Sequence, residues 1–596
     1  MDTQQQNNTY FTIQNFVKSN LSSHVHLSLQ LNDHKIKLKD IDLITSSLNA
    51  CKEIQTMSLQ FENNNLNDDQ VYQIFNNLHK FIYLKCLSVN LNCNKVNQQG
   101  IKSIQQYLMY YNDLTELRLQ LSENCIQIQD IIQLLEVIKN FQQIKTLELE
   151  LGLNQVNDMT VTVLGQLISY SISLTRLQIQ LHQNIIGDNG VIQLSQGIGK
   201  CYNLVFLELN LYQNFIRSEG AIAIGTGVSK CTLLTNLDIV LAENKIPGSG
   251  ASGLSKCLKF CTHLINLEIF IQQNQIGDEG IIAISKSLSN HQNLANLKFC
   301  FCQNNIGNKG AKAVGKLLSD IQQCIVNLYL NLYQNKIGNE GASSIGQGLS
   351  KCTKLQILEL ILSENQIGDK GIKKIGQGLA KCQNIIDLQL YLQNQSQNEE
   401  ISNVATEFAK CNNLKTFIFH FSNNQIKSEG ITSIGKWISD CQNLLNLSIY
   451  IYQNLIGDEG ITCLGKGLTQ CNKLTNLELI LWDNQFGDLG TKNLCSGLIC
   501  CNSLTNLKLN LIYNKISDFE EENIGITLSN LPQLQALTLI FCKSEKYFKS
   551  KELLFCKNIK KLTINVSFCP FKREQMSHKR QAMKIRRLVQ LNTILQ

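Results

Sequence analysis

An asparagine returns every 30 residues along most of this chain, at 64, 94, 124, 154, 184, 214, 244, 274 and 304, and then, after one step of 31, at 335, 365, 424, 454, 484 and 514. His34, Gln395 and Ser544 hold the same slot in weaker copies, and Leu562, Ile564 and Val566 read as a last, shortened one. A single core stops growing beyond a few hundred residues, whereas stacked units that meet only their neighbours can be added one after another. A period this regular over 596 residues therefore implies a solenoid, here of about 18–19 units.

Two periodicities follow each other within one copy. Leu207, Leu209 and Leu211 alternate with Glu208, Asn210 and Tyr212, the period-two pattern of a strand with one buried face. Beyond Asn214 and Ile216, Gly220 is followed by Ala221, Ile222, Ile224 and Val228, spaced for the buried face of a helix. Where the intervening turn reads GDEG (277–280) or GDKG (368–371), its aspartate is expected to cap the helix that follows. Strands pair at about 4.8 Å while helices need about 10 Å, so the expected architecture is an α/β solenoid, a curved horseshoe with parallel strands on its concave face and helices on its convex face. Residues 1–20 are read as an N-terminal cap, 21–567 as the solenoid, and 568–596 as a basic C-terminal helix or cap.

These repeats, with text of the form NLxLxLxxNxIGDEGxxxIxxGLxKCxxL, resemble leucine-rich repeats of the ribonuclease-inhibitor type, the class also found in Ran GTPase-activating proteins and NOD-like receptors. The resemblance implies a horseshoe of stacked strand–helix repeats. Two departures stand out. The stretch Leu207–Asn214 reads LxLxLxxN where the family has LxLxxN, which predicts strands about two residues longer, and the copy at 388–400, LQLYLQNQSQNEE, lacks the IGxxG turn and reads as a local bulge.

Composition bears on partners and compartment. The 23 cysteines form no CxxC pair, and Cys201, Cys231, Cys261, Cys352, Cys382, Cys411, Cys441, Cys471 and Cys501 recur at one repeat position, as small core residues of a reducing compartment do. No stretch has the length and apolarity of a membrane span, and the N-terminal text lacks the pattern of a secretory leader, so the chain is read as soluble and cytoplasmic. Its richness in Asn and Gln suggests an AT-rich protist genome, with cytoskeletal or ciliary association as a secondary reading. The net charge of +7 is concentrated in residues 572–587, where seven basic residues face only Glu574, and no basic stripe suited to nucleic acid runs along the repeats.

Several features mimic chemical sites. GITSIGKW (430–437) has the glycine spacing and lysine of a phosphate-binding loop, but near copies recur at 310–317 and 460–467, so the spacing belongs to the repeat and Gly435 is expected inside a helix. Trp437 stands where related helices have Gly227, Gly348, Gly378, Gly467 and Gly497, and reads as an intrusion at the flank of the helical layer that glycine could replace without loss of the fold. The asparagine row is expected to satisfy loop backbone, not to bind metal. No catalytic constellation, cofactor site or metal site is read from the text.

The solvent-facing strand positions are more informative. Four residues before each asparagine the row reads Gln30, Gln60, Asn90, Gln120, Glu150, Gln180 and Asn210, then turns largely apolar and aromatic from Val240 onward. Candidate partner-binding residues are Tyr212, Phe270, Tyr329, Tyr333, Tyr391, Tyr450, Tyr452 and Trp482, with acidic residues such as Glu208, Asp238, Glu359 and Glu478 interspersed. A second candidate is the basic tail, in which Ile585, Leu588, Val589, Leu591 and Leu595 would line one side of a helix. Lys579, Arg580, Lys584, Arg586 and Arg587 would then contact an anionic surface or acidic partner, or the helix would cap the last repeat. The expected function is a non-enzymatic scaffold for a protein partner; the resemblance to Ran GTPase-activating proteins and NOD-like receptors implies small-GTPase regulation and a sensor-type repeat domain as alternatives.

Overall fold

A computed structural model describes residues 8–76, 78–111, 113–124, 126–395, 413–517, 520, 524, 527–528, 530–540, 559–565 and 590–594. The chain divides into two compact units, Met1–Leu294 and Ala295–Gln596. In the N-terminal unit, strands recur from His26–Gln30 to Asn266–Phe270, separated by helices such as Asp188–Ile198, Ser218–Val228 and Gly248–Phe260. All strands run parallel, in a register that sets like positions side by side: Leu177, Leu207, Leu237 and Leu267 form one row. The C-terminal unit repeats this from Asn296–Cys300 to Ala536–Ile540, with helices that include Ser428–Asp440 and Gly457–Leu468. Each unit is an α/β solenoid, a parallel sheet backed by one layer of helices.

The alternation read from the text places the core between these layers. Leu207 and Leu209 are buried and Phe206, Glu208 and Asn210 are half-buried on the open face of the sheet. Backbone pairing continues past the five-residue strand, with Leu211 N–H donating to Val240 O (2.8 Å) and Gln213 N–H to Ala242 O (2.9 Å). Ala221, Ile224 and Val228 face the core, but Ile222 is exposed, because one step of 100° from Ala221 turns it away from the sheet.

The asparagine ladder does what unpaired loop backbone requires. The residue before each asparagine is left-handed, as at Gln183 (φ 52°) and Gln213 (φ 54°), and this turn aims the amide inward. Asn184 donates to the carbonyls of Leu151 (3.1 Å), Leu181 (3.0 Å) and His182 (3.2 Å), and accepts from the N–H groups of Asn154 (3.2 Å) and Val156 (2.8 Å). Gln395 fills the slot without interruption, donating to Leu362 O (2.8 Å) and accepting from Ile367 N–H (3.1 Å), and the strand Asp387–Tyr391 keeps regular register with Thr416–His420. The expected bulge thus does not touch the sheet; residues 396–412 lie outside the described residues.

The recurring thiols serve the same end: Cys201, Cys231 and Cys382 are buried and donate to Ile168 O (3.4 Å), Ile198 O (3.4 Å) and Leu349 O (3.1 Å), each in the preceding repeat. Burial pushes the thiols of Cys201 and Cys231 up to about 12, which keeps them protonated donors.

Three expectations need correction. Turn aspartates such as Asp158, Asp188 and Asp458 act across the repeat boundary: Asp458 Oδ1 accepts from Gly487 N–H (2.7 Å) and Gly490 N–H (2.9 Å), capping the next helix instead of its own. Trp437 is in the core, 1% exposed, with its ring 4.3 Å from that of Phe417 in an edge-on arrangement. Phe417, Phe419 and Phe421 replace the usual aliphatic residues on this strand, and the indole packs into that enlarged aromatic cluster. At the C-terminus, Gln590–Ile594 is a strand paired in parallel with Lys561–Asn565, so the helix expected through Leu591 does not form there; a strand satisfies the free edge of a sheet as a helix cannot. The basic residues Lys579, Arg580, Lys584, Arg586 and Arg587 lie outside the described residues.

Candidate functional site

The open face of the C-terminal sheet is where side chains of adjacent strands accumulate. Register sets Asn331, Ile361, Tyr391, His420, Tyr450, Ile480 and Asn510 in one row across it. Parallel strands about 4.8 Å apart bring such neighbours into ring contact. Tyr391 lies 6.0 Å from His420, His420 5.1 Å from Tyr450 and 5.7 Å from Tyr452, and Tyr452 is stacked on Trp482 at 4.7 Å with an interplanar angle of 8°. Tyr513, half exposed on the turn of the next repeat, meets Trp482 at 6.5 Å.

This ladder joins Tyr391, Tyr450, Tyr452 and Trp482 of the sequence candidates. Tyr329 and Tyr333 stand on the same face but outside the ring contacts: Tyr329 Oη accepts from Asn331 Nδ2 (3.2 Å), and burial pushes its hydroxyl up to about 12. Tyr212 and Phe270 belong to the N-terminal unit, where Tyr212 donates to Glu243 Oε1 (3.0 Å) and Phe270 is half-buried at a strand end. The text gave no prominence to His420 or Tyr513. His420 was readable from its slot four residues before Asn424; Tyr513 sits one before Asn514, a position otherwise occupied mainly by polar residues.

Burial is the main perturbation of the site's titrating groups. The imidazole of His420 is lowered to about 4 by desolvation among the tyrosines, and its Nε2 is buried with no hydrogen-bond partner among the described residues. The Tyr450 hydroxyl is raised, first by burial and then by the Glu478 carboxylate, which itself pairs with Lys508 at 2.5 Å. Burial also raises Glu359, Asp387 and the Tyr391 hydroxyl, and the two carboxylates raise that hydroxyl further. The chemistry on offer is adhesive: aromatic faces, buried hydroxyls and carboxylates poised for a donor. Among the described residues no group of three or more His, Cys, Asp or Glu is arranged to hold a metal ion.

The phosphate-loop spacing has a packing explanation. Residues 430–437 lie within the helix Ser428–Asp440, and a methyl group on Gly435 would sit 2.2 Å from Cys463 O of the next helix. The glycine is there so that two helices can touch.

Comparison with known protein families agrees with this architecture. Residues 261–285, 328–346 and 351–376 match the family described as Leucine Rich repeat. With the stacked strand–helix units, these matches support a leucine-rich repeat protein. No curated protein matches the chain.

Proposed function

We propose that the protein is a non-enzymatic scaffold of the ribonuclease-inhibitor-like class that holds a protein partner against the open sheet face of its C-terminal unit. The observation that carries this reading is the continuous ladder from Tyr391 through His420, Tyr450 and Tyr452 to Trp482 and Tyr513. Stacked aromatic rings are held rigid before binding, so little side-chain entropy is lost on contact, and tyrosine and tryptophan are the residues that dominate interface energies. Glu359 and Asp387 would orient the partner through its donors. The reduced-thiol ladder supports a reducing, cytoplasmic setting.

Crosslinking from native cells, followed by capture on the purified chain, identifies the partner. Tyr450→Ala, Tyr452→Ala and Trp482→Ala together are expected to reduce capture at least tenfold while the helical and sheet signals persist. Undiminished capture would refute this reading. Small-GTPase regulation and a sensor role gain no specific residue from the site; stimulated GTP hydrolysis over a GTPase panel tests the first.

A further inference from the structure

The N-terminal unit carries a different surface, along the edge where each helix turns back to the next strand. Four consecutive segments that run from the last turn of a helix to the next strand, 166–175, 196–205, 226–235 and 256–265, expose large apolar side chains there. Ile172 is 62% exposed, Tyr202 59% and Tyr170 58%, and Val205, Leu233 and Phe260 are each more than 40% exposed. The same segments contain Lys200, Lys230, Lys256 and Lys259, all exposed, and no aspartate or glutamate. Lysines near helix C-termini complement the helix dipole, which accounts for their position but not for the apolar tips beside them. A row of exposed aromatic and aliphatic side chains of this extent marks a contact surface.

The occupant follows from the pairing of chemistries. Flexible ammonium groups suit a mobile field of anionic headgroups, whereas a fixed carboxylate is better gripped by the fork of arginine. Tyrosine and phenylalanine favour the boundary between water and acyl chains. Lys259 lies 5.7 Å from the Phe260 ring centroid, and Lys139, which also pairs with Glu136 at 3.2 Å, lies 5.2 Å from that of Tyr170, so cation and ring are already juxtaposed. The corresponding edge of the C-terminal unit lacks the combination: it carries Asp320 and Asp440, and among the described residues only Leu445 and Ile499 are large, apolar and exposed along it. We propose that the helix-to-strand edge spanning Tyr170 to Phe260 is a peripheral membrane-docking surface that takes an anionic lipid bilayer.

The test is co-sedimentation of the full-length chain with vesicles of phosphatidylcholine alone or with about a third phosphatidylserine. Binding is expected only to the serine-lipid vesicles and is expected to weaken at high salt. Ile172→Ser, Tyr202→Ser and Leu233→Ser together, and separately Lys200→Gln, Lys230→Gln and Lys259→Gln together, are each expected to reduce it at least tenfold. Should the triple variants misfold, the single change Tyr202→Trp, at an exposed site, keeps the question open to measurement: its emission should shift to the blue on serine-lipid vesicles. No binding to anionic vesicles overturns the proposal and leaves the edge to a protein with an acidic surface. Binding that survives both edge variants but disappears when Lys579, Arg580, Lys584, Arg586 and Arg587 are changed to glutamine also overturns it, in favour of the tail.

Discussion

The two units share a backbone and a buried grammar yet invert their surfaces. In the N-terminal unit the open sheet face is mostly polar, with Glu208, Asp238 and Glu268 side by side on neighbouring strands and Phe206 and Phe270 at strand ends, and the exposed apolar side chains stand on the helix-to-strand edge. In the C-terminal unit that face carries the aromatic ladder and the edge is mostly polar. What stays constant is what stacking requires: the leucine rows, the asparagine ladder and the thiols. What varies is free of that requirement, and it is where function is expected to reside.

The largest effect should come from a single copy whose core departs from those of both units. Trp437 fills a slot that holds glycine in several copies, Gly227, Gly348, Gly378, Gly467 and Gly497 among them; at Gly378 an added methyl group would meet Gly346 O at 2.0 Å. Trp437→Gly leaves a cavity against Phe417 and adds the helix cost of glycine, for a loss of about 5 kcal/mol. Both tryptophans of the chain lie in the C-terminal unit, so their fluorescence reports its unfolding, with Trp482 as the probe in this variant. A loss under about 1 kcal/mol in denaturant midpoint analysis would return Trp437 to the surface.

Next comes the shared ladder. Asn454 donates to Phe421 O, Ile451 O and Tyr452 O and accepts from Asn424 and Ile426 N–H, the same pattern that Asn184 makes in the other unit. Alanine at either position strands buried backbone groups, and each change should cost its own unit about 3 kcal/mol. Hydrogen exchange around Asn184 and tryptophan fluorescence for Asn454 measure the two. Unequal losses would show that the grammar is not shared.

That grammar was the legible part of the chain. A buried position faces the same neighbours in every copy, so its chemistry repeats and the period exposes it. The errors fell where repetition gives no information. Trp437 depends on Phe417 and its aromatic neighbours, a local exception on another strand. The aspartate caps act one repeat ahead, a distance that a pattern within one copy cannot register. The ring ladder was half legible: its members could be named from alternation, but their contacts, and the inclusion of His420 and Tyr513, depend on side-chain rotamers. The apolar edge of the N-terminal unit is not legible because its side chains sit at helix ends, as Tyr170 and Phe260 do, or in the turns that follow, where neither period applies.

Acidification separates the surfaces further. The His420 pKa, about 4, is below the ordinary value of 6.5, so the unfolded chain takes up the proton first. Its contribution to stability is complete above 6.5 and is lost as pH falls from there towards 4. Allowing for partial solvent exposure, this amounts to about 2 kcal/mol, and His420→Tyr should remove that part of the pH dependence. Glu208 has the opposite sense: burial foremost raises its pKa, so its charged form costs stability at neutral pH and the cost is relieved on acidification. Glu208→Gln should therefore stabilise its unit slightly at pH 7, with the advantage shrinking as pH falls. Denaturant midpoints at pH 7 and pH 4.5 check both signs.

The smallest effect tests whether the ladder is preassembled. Tyr452 and Trp482 stack within 8° of parallel, and a pair of this kind contributes about 1 kcal/mol beyond the area it buries. In a double-mutant cycle with alanine at each position, the coupling energy should be about that size in the absence of any partner. A coupling near zero would mean that the rings are independent until something binds, and the partner would then have to supply the entropy cost of ordering them. A coupling of about 1 kcal/mol places that cost in folding instead, so that the aromatic face of the C-terminal unit meets its partner already rigid.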